Sequence, residues 1–348
     1  MTTTGWDKIK GPRLTGIGSL PHSNIDSALE FSMRLGIPYL PQIPMRNPWE
    51  FMIPQALDGL PGMQLEQGGL VSLPADLWRS QSHILEKRLE RAFATENFAD
   101  FEPSGSTSSG WRPFLWELEE KAHSIAKIQI AGPFTSQWAI QIKSGSPGDC
   151  YPELSNQVYR LVLARSLAMV KRLVANEIHP FLLIDEPGLY TYSHQNPQHL
   201  AALRELKIMV QSLQKAGATV GIHCCGNTDW SALMSLGIDL LSLDTSLSLQ
   251  AALGEVHRPA LENWLQSGGR FSLGVIPTSA NGPMETEMLV QNLIQTLQSA
   301  WIGPAGYADS ILQNALLTPA CGLALQSIPE AEWVLENLVS FYETLHSR

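Results

Sequence analysis

Residues 180–225 read PFLLIDEPGLYTYSHQNPQHLAALRELKIMVQSLQKAGATVGIHCC, and this stretch decides the fold. The apolar runs at 180–186 and 219–225 are typical of buried strands. Between them, apolar residues recur at helical spacing over 197–216. A strand that alternates with a helix in this way predicts a parallel sheet.

The same alternation continues in both directions along the chain. Strands are predicted at 14–19, 37–42, 127–133, 180–186, 219–225, 238–244, 270–277 and 313–319. Helices are predicted at 24–35, 154–176, 197–216, 230–236, 259–266 and 284–302. Eight such units favour a single (β/α)8 TIM barrel over residues 1–348 rather than an open, doubly wound sheet. No G-x-G-x-x-G follows the first strand, so a dinucleotide-binding sheet is not supported.

Residues 45–121 are too many for one crossover and are rich in Gly, Pro, Ser and Trp. We predict an excursion from the barrel here, with a hairpin around 64–73 and a helix over 80–95. Long connections of this kind are often lids over an active site. A stabilising insertion with no role at the site is the alternative interpretation.

Composition excludes several classes of function. The chain has 348 residues, of which 44% are hydrophobic, and its net charge is −10, so it is expected to repel nucleic acids and anionic membrane surfaces. It has no apolar stretch of membrane-spanning length and no secretory signal, which predicts a soluble cytoplasmic protein. Four cysteines are too few for a disulfide scaffold, so clustered thiols favour metal binding or catalysis.

The carboxyl ends of the strands carry the residues that build a TIM-barrel active site. His223 and Cys225 end the fifth predicted strand on the same side, because side chains alternate along a strand, and Cys224 faces the other way. Cys321 ends the eighth strand, which barrel closure brings towards the fifth. One imidazole and two thiolates suit Zn²⁺ with a free fourth position. Asp244, at the end of the sixth strand, is a candidate fourth ligand or a hydrogen-bond partner of His223.

A zinc ion with two thiolate ligands is better suited to deprotonating a thiol than to activating water, which indicates alkyl transfer to sulfur. Two further features fit an amino-acid substrate. Asp185 and Glu186 end an apolar strand, where they are candidates for acid–base roles, for metal ligands or for a clamp on a cationic amine. The alternative interpretation is that one of them only caps the helix that follows. The glycine-flanked N–H groups near Gly18 and Ser19 are accessible to a carboxylate.

These residues resemble a known family. The strings at 17–21, 184–187, 223–225 and 319–323 are similar, in order, to the signature segments of the catalytic C-terminal barrel of cobalamin-independent methionine synthase. That barrel belongs to a superfamily with uroporphyrinogen decarboxylase and the zinc-dependent corrinoid methyltransferases. The resemblance implies zinc ligands at His223, Cys225 and Cys321, and homocysteine-binding residues at Ser19 and Asp185.

The sequence departs from this family at four places. Asp244 stands where the family has a glutamate zinc ligand, and Gln42 stands where a glutamate helps to hold the substrate amine. The family's proton-donating histidine is absent from 274–279, and its long N-terminal barrel is absent. His22, which ends the first strand, is the remaining candidate acid.

These departures bear on the methyl donor. Removing a methyl group from methyltetrahydrofolate requires protonation of its ring nitrogen, whereas a methyl group on cobalt leaves without an acid. We therefore expect methylcobalamin, free or on a corrinoid protein, to donate a methyl group to homocysteine and form methionine. A methyltransferase that acts on another thiol, such as coenzyme M, is the second interpretation. A uroporphyrinogen decarboxylase-like enzyme and a non-catalytic zinc- or corrinoid-binding protein are further alternatives.

Overall fold

The computed structural model describes residues 5–143, 150, 152–278, 285–300 and 307–347. These residues form a mixed α/β fold with two sheets. Its strands are β1 (Gln64–Leu65), β2 (Val71–Pro74), β3 (Ile125–Ala131), β4 (Ile140–Lys143), β5 (His179–Asp185), β6 (Thr219–His223), β7 (Leu240–Asp244), β8 (Arg270–Ile276) and β9 (Leu316–Pro319).

The helices lie mostly between these strands in the chain. They are α1 (Ile25–Ser32), α2 (Met52–Ala56), α3 (Ala75–Thr95), α4 (Trp111–Glu120), α5 (Pro133–Ala139), α6 (Glu153–Ala175), α7 (Pro197–Lys215), α8 (Trp230–Met234), α9 (Gln250–Ala252), α10 (Arg258–Gln266), α11 (Thr286–Ala300), α12 (Tyr307–Asn314) and α13 (Ile328–His346). None of the helices in the described ranges is long and apolar enough to cross a membrane. Met284 and residues 301–302 of the predicted helix 284–302, and Ser279 of the histidine-free segment, lie outside the described residues.

The larger sheet has six parallel strands in the order β3-β5-β6-β7-β8-β9 and carries the helices on its outer face. Its strands β5 to β9 pair in chain order, which is the pattern that successive strand–helix units generate. This curled parallel sheet confirms the α/β class. It has six regular strands, however, where the sequence predicted eight.

The two missing strands are the predicted strands 14–19 and 37–42, which we call the bridged segments. They lie between β9 and β3 and are joined by isolated parallel bridges, from Leu14 to Leu317, from Ser19 to Gln42 and from Tyr39 to Lys127. Pro38 and Pro41 explain part of the irregularity, because proline has no N–H to donate to a ladder. Each segment therefore follows the expected course without regular strand pairing.

An apolar layer fills the sheet at the amino ends of its strands. Ile125, Phe181, Leu240 and Leu316 cluster there with Ile37, and all five are buried. Trp6 packs against this layer, with its ring 5.2 Å from that of Phe181. Asp185 and His223 lie at the opposite, carboxyl ends of their strands.

Residues 45–121 fold onto the same core as the sheet. β1 and β2 pair antiparallel within the predicted hairpin, and α3 begins at Ala75, five residues before the predicted start. β2 also pairs with β4 in the smaller sheet, which sequence reasoning missed. The buried carboxylate of Glu50 accepts hydrogen bonds from the N–H of Ile43 and from the N–H and hydroxyl of Ser109. Glu50 thus ties the beginning and the end of the excursion to each other and to Ile43, which directly follows the bridged segment 37–42.

Candidate active site

The side chains of His223, Cys225 and Cys321 meet at the carboxyl ends of the strands, and we call them the thiol–imidazole cluster. His223 ends β6, Cys225 follows it, and Cys321 follows β9. The Cys321 thiol lies close enough to the side chains of Cys225 and His223 for both of them to affect its pKa. Its contact with Cys225 lowers the pKa of Cys225 and raises the pKa of Cys321 to about 12. Cys321 is exposed, so the cluster is open to solvent.

The cluster has the donor chemistry of a zinc site, although its side chains do not surround a common point. Among the described residues, no three His, Cys, Asp or Glu side chains are arranged to hold a metal ion as they stand. A protonated thiol directs its hydrogen at a neighbouring acceptor, and metal binding removes those protons. One nitrogen and two sulfurs, one of them exposed, fit a soft cation that keeps a position for a ligand.

Ser242 holds the imidazole of His223. Its hydroxyl oxygen lies 2.9 Å from His223 Nδ1, and the two residues are register partners on the adjacent strands β6 and β7. The other ring nitrogen, Nε2, is left for the thiols or a metal ion. The sequence suggested Asp244 for this contact, but a carboxylate oxygen of Asp244 instead accepts hydrogen bonds from the N–H groups of Ser246 and Leu247.

Cys224 faces away from the cluster, as strand alternation predicts. It is fully buried in the hydrophobic core, where its thiol donates to the carbonyl of Gly226. Burial raises the pKa of Cys224 to about 11. A neutral thiol in this position is chemically inert.

Asp185 ends β5 beside the cluster, because it is the register partner of His223. Its side chain is buried, and its Oδ1 atom has no hydrogen-bond partner among the described residues. Burial raises the pKa of Asp185, while His223 and the ammonium of Lys127 act in the opposite direction. A buried, unpartnered carboxylate oxygen is costly, and a cationic ligand would satisfy it.

The carboxylate of Glu186 binds the beginning of α5. Its carboxylate accepts hydrogen bonds from the N–H groups of Phe134 and Thr135, at 3.0 and 2.7 Å, and from the Thr135 hydroxyl. It therefore caps the first turn of α5, and a Cβ on Gly132 would overlap it. Burial raises the pKa of Glu186 to about 7. The catalytic role of Glu186 stays a prediction, while three donors among the described residues already bind its oxygens.

The glycine loop, residues 16–19, lies against the cluster. A Cβ on Gly322 would overlap the hydroxyl of Ser19, and the Ser19 carbonyl accepts a 2.8 Å hydrogen bond from the N–H of Leu323. Ser19 is thus next to the segment that carries Cys321. In the described part of the chain, no group accepts a hydrogen bond from the N–H groups of Gly18 and Ser19. They are free donors beside the thiols.

The other two predicted site residues, Gln42 and His22, contact side chains outside the cluster, and their roles stay predictions. The Gln42 amide donates to Gln55 Oε1 at 2.6 Å, and Gln55 in turn donates to the carbonyl of Thr107, so Gln42 faces the excursion. His22 is buried with its ring 5.2 Å from that of Phe31 on α1, and burial lowers its pKa. Neither contact directs the side chain to the thiols.

Sequence reasoning missed an exposed aromatic pair at the rim. Trp138 lies in the last turn of α5, and its ring is 6.1 Å from that of Tyr190 in an edge-to-face arrangement. The two side chains are 61% and 57% exposed, which is unusual for large aromatic rings. Tyr190 packs near Gly226, directly after Cys225. The signal in the sequence was Trp138 itself, six residues after Gly132, which directly follows β3.

Comparison with known proteins informs the fold alone. No protein-family model and no curated protein matches the sequence. A methyltransferase from Methanosarcina mazei is similar in structure, with a TM-score of 0.51 and 14% sequence identity over 97% of this chain and 95% of that chain. A proposed orotidine 5′-phosphate decarboxylase from Streptomyces avermitilis has a TM-score of 0.28 and 12% identity over 68% of this chain and 95% of that chain. The second similarity is too low to carry an argument.

Proposed function

We propose that this protein is a zinc-dependent methyltransferase that methylates the thiol of homocysteine and forms methionine. The observation that carries the proposal is the contact among His223, Cys225 and Cys321 beside an unpartnered carboxylate and a loop with free N–H groups. The similar structure from Methanosarcina mazei shares the fold and is described as a methyltransferase. We further propose that the bridged segments complete an eight-stranded barrel around this site.

The zinc ion would be held by His223, Cys225 and Cys321, with Asp244 as a candidate fourth ligand. Bound zinc would lower the pKa of an incoming thiol, so that the thiolate is present at neutral pH. Ser242 keeps Nε2 of His223 directed at the thiols by holding Nδ1. The exposure of Cys321 leaves room for the thiol of the substrate.

The remaining residues recognise the two ends of an amino acid. Asp185 would accept the ammonium group of homocysteine, which satisfies its unpartnered oxygen. The N–H groups of Gly18 and Ser19 would donate to the carboxylate. Because both groups border the thiol–imidazole cluster, a short side chain between them reaches the thiols. Transfer then requires the sulfur to attack the methyl carbon in line.

Methylcobalamin, free or on a corrinoid protein, is our proposed donor. The carbon–sulfur bond forms as the carbon–cobalt bond breaks, and the electron pair stays on cobalt, so no acid is needed. The described part of 274–279 carries no histidine, and the ring of His22 packs against that of Phe31. Both facts disfavour methyltetrahydrofolate, which needs a proton donor. Trp138 and Tyr190 offer an apolar rim on which a large planar donor can rest.

A methyl-transfer assay tests the proposal. Zinc-loaded protein is given methylcobalamin or methyltetrahydrofolate, with homocysteine as acceptor, and methionine is measured. We expect product with methylcobalamin and little or none with methyltetrahydrofolate. Equal rates with the two donors, with His22→Gln abolishing only the folate reaction, would establish a folate enzyme with a relocated acid.

The assay should also include an acceptor of a second class. The Gln42 amide is hydrogen-bonded to Gln55, so we assign the amine of the substrate to Asp185 alone. Coenzyme M has a thiol and an acidic group but no amine. Faster methylation of coenzyme M than of homocysteine would assign the protein to that second class. Zinc binding with no methyl transfer to either acceptor would indicate a binding protein.

A further inference from the structure

A lysine is buried inside the sheet beneath the glycine loop. Lys127 on β3 is 1% exposed, and its ammonium donates to the carbonyl of Ile17 and to Gln129 Oε1, the latter at 3.0 Å. Removing an ammonium from water is costly unless its hydrogen bonds are replaced. Here one of the acceptors that replace water is the carbonyl of Ile17, which belongs to the glycine loop.

Gln129 completes this contact from the same strand. Its Nε2 donates to the carbonyl of Leu40 at 2.8 Å. A carbonyl only accepts and an ammonium only donates, so the carboxamide is held in one orientation by its two neighbours. Lys127 and Gln129 together connect β3 to both bridged segments through their backbone carbonyls.

The backbone of Gly18 is shaped by Gln129. Gly18 has φ = +149°, which L-residues rarely adopt, and a Cβ there would overlap the carboxamide of Gln129. The Ile17 carbonyl and the Gly18 N–H belong to one planar trans peptide, so they point in opposite directions. Because Lys127 binds that carbonyl, the Gly18 N–H points away from Lys127 and remains a free donor.

We propose that Lys127 and Gln129 are positioning residues that hold the glycine loop in the conformation that binds the carboxylate of the substrate. This inference rests on the proposed function, since it assigns the carboxylate to the loop. In a regular strand, ladder hydrogen bonds would fix these peptides, but the bridged segments have single bridges instead. The side chains of Lys127 and Gln129 replace the missing ladder and leave the N–H groups of the loop available.

The test compares two thiols that differ only in the carboxylate. Binding of homocysteine and of 3-aminopropane-1-thiol to the zinc-loaded protein is measured by calorimetry, for the wild type, for Lys127→Met and for Lys143→Met. Lys143 on β4 is a half-exposed lysine in the smaller sheet and serves as the matched control. We expect Lys127→Met to weaken the binding of homocysteine at least about tenfold, which is the size of effect that the loss of a charged hydrogen bond has. The affinity for the aminothiol should stay within about twofold of the wild-type value. Equal weakening of both thiols, or of neither, overturns the proposal.

Hydrogen exchange gives a readout that does not depend on the substrate. Exchange of the peptide that contains residues 15–20 should accelerate in Lys127→Met and stay unchanged in Lys143→Met, and no acceleration contradicts the proposal. If the wild type binds neither thiol, the proposed function has failed, and exchange alone decides the role of Lys127. If Lys127→Met does not fold, Gln129→Met replaces it with the same expected pattern.

Discussion

The two sides of the candidate site are built in different ways. On one side, β5, β6 and β7 pair in continuous register, and the groups they offer are side chains, namely those of Asp185, His223 and Cys225. On the other side, the bridged segments have isolated bridges, and the groups they offer are backbone N–H donors. In a regular ladder, the backbone N–H groups of a strand are hydrogen-bonded to the neighbouring strands. Backbone N–H groups can therefore bind a ligand only where the ladder is interrupted.

The largest expected effect falls on the thiol–imidazole cluster, where Cys321 from the segment after β9 meets the regular side. Cys321→Ser removes a thiolate that we assign to zinc and should lose most of the bound metal, whereas Cys224→Ser should retain it, because Cys224 is buried away from the cluster. Metal analysis of the purified variants makes the comparison. Equal loss in both variants would show that Cys224 is also a ligand.

Asp185→Asn keeps the shape of the side chain and removes its charge. A charged hydrogen bond left unmade costs on the order of 2–3 kcal/mol, so KM for homocysteine should rise roughly thirty- to a hundredfold while zinc content stays the same. Steady-state kinetics with parallel metal analysis checks both points. Loss of zinc instead would make Asp185 a metal ligand.

Ser242→Ala tests how the regular ladder orients the imidazole. Removing the hydrogen-bond partner of a metal-ligating histidine typically lowers metal affinity about 10–100-fold. We therefore expect chelator competition to show a decrease of that size in the zinc affinity of Ser242→Ala. Ser272→Ala is the matched control, because Ser272 pairs in register with Ser242 on β8 and its hydroxyl has no partner among the described residues. Identical zinc affinities for the two variants would remove the role of Ser242.

On the bridged side, Gly18→Ala adds a methyl group that overlaps Gln129 at a backbone angle which L-residues rarely adopt. Strain of this kind costs about 1–3 kcal/mol, and we expect roughly tenfold weaker homocysteine binding with zinc content unchanged. Gly105→Ala is the control, since nothing lies within 4 Å of a Cβ there. Unimpaired binding by Gly18→Ala would show that the carboxylate binds elsewhere.

The regular side was largely predictable from the sequence, because the alternation of side chains along a strand depends only on neighbouring residues. Period-two alternation correctly turned Cys224 away from His223 and Cys225. The same period also signals the missed pair on β3, since Lys127 and Gln129 alternate with Ile128 and Ile130 in a strand buried on both faces.

The bridged side was less predictable, because its geometry depends on distant contacts. The apolar runs at 14–19 and 37–42 resemble strands, yet prolines interrupt the second run, and the Ile17 carbonyl in the first accepts a hydrogen bond from Lys127 on β3. Glu186 shows the same limit. Its donors, Phe134 and Thr135, are more than fifty residues away in the chain, so nothing near Glu186 revealed that it caps α5.

The most direct test of the central claim counts the sulfur atoms around zinc. X-ray absorption at the zinc edge is recorded for the zinc-loaded protein before and after homocysteine is added. If Cys225 and Cys321 hold the metal and the substrate thiol joins them, the count should rise from two sulfurs to three. A count that stays at two while homocysteine is still methylated would contradict zinc activation of the thiol.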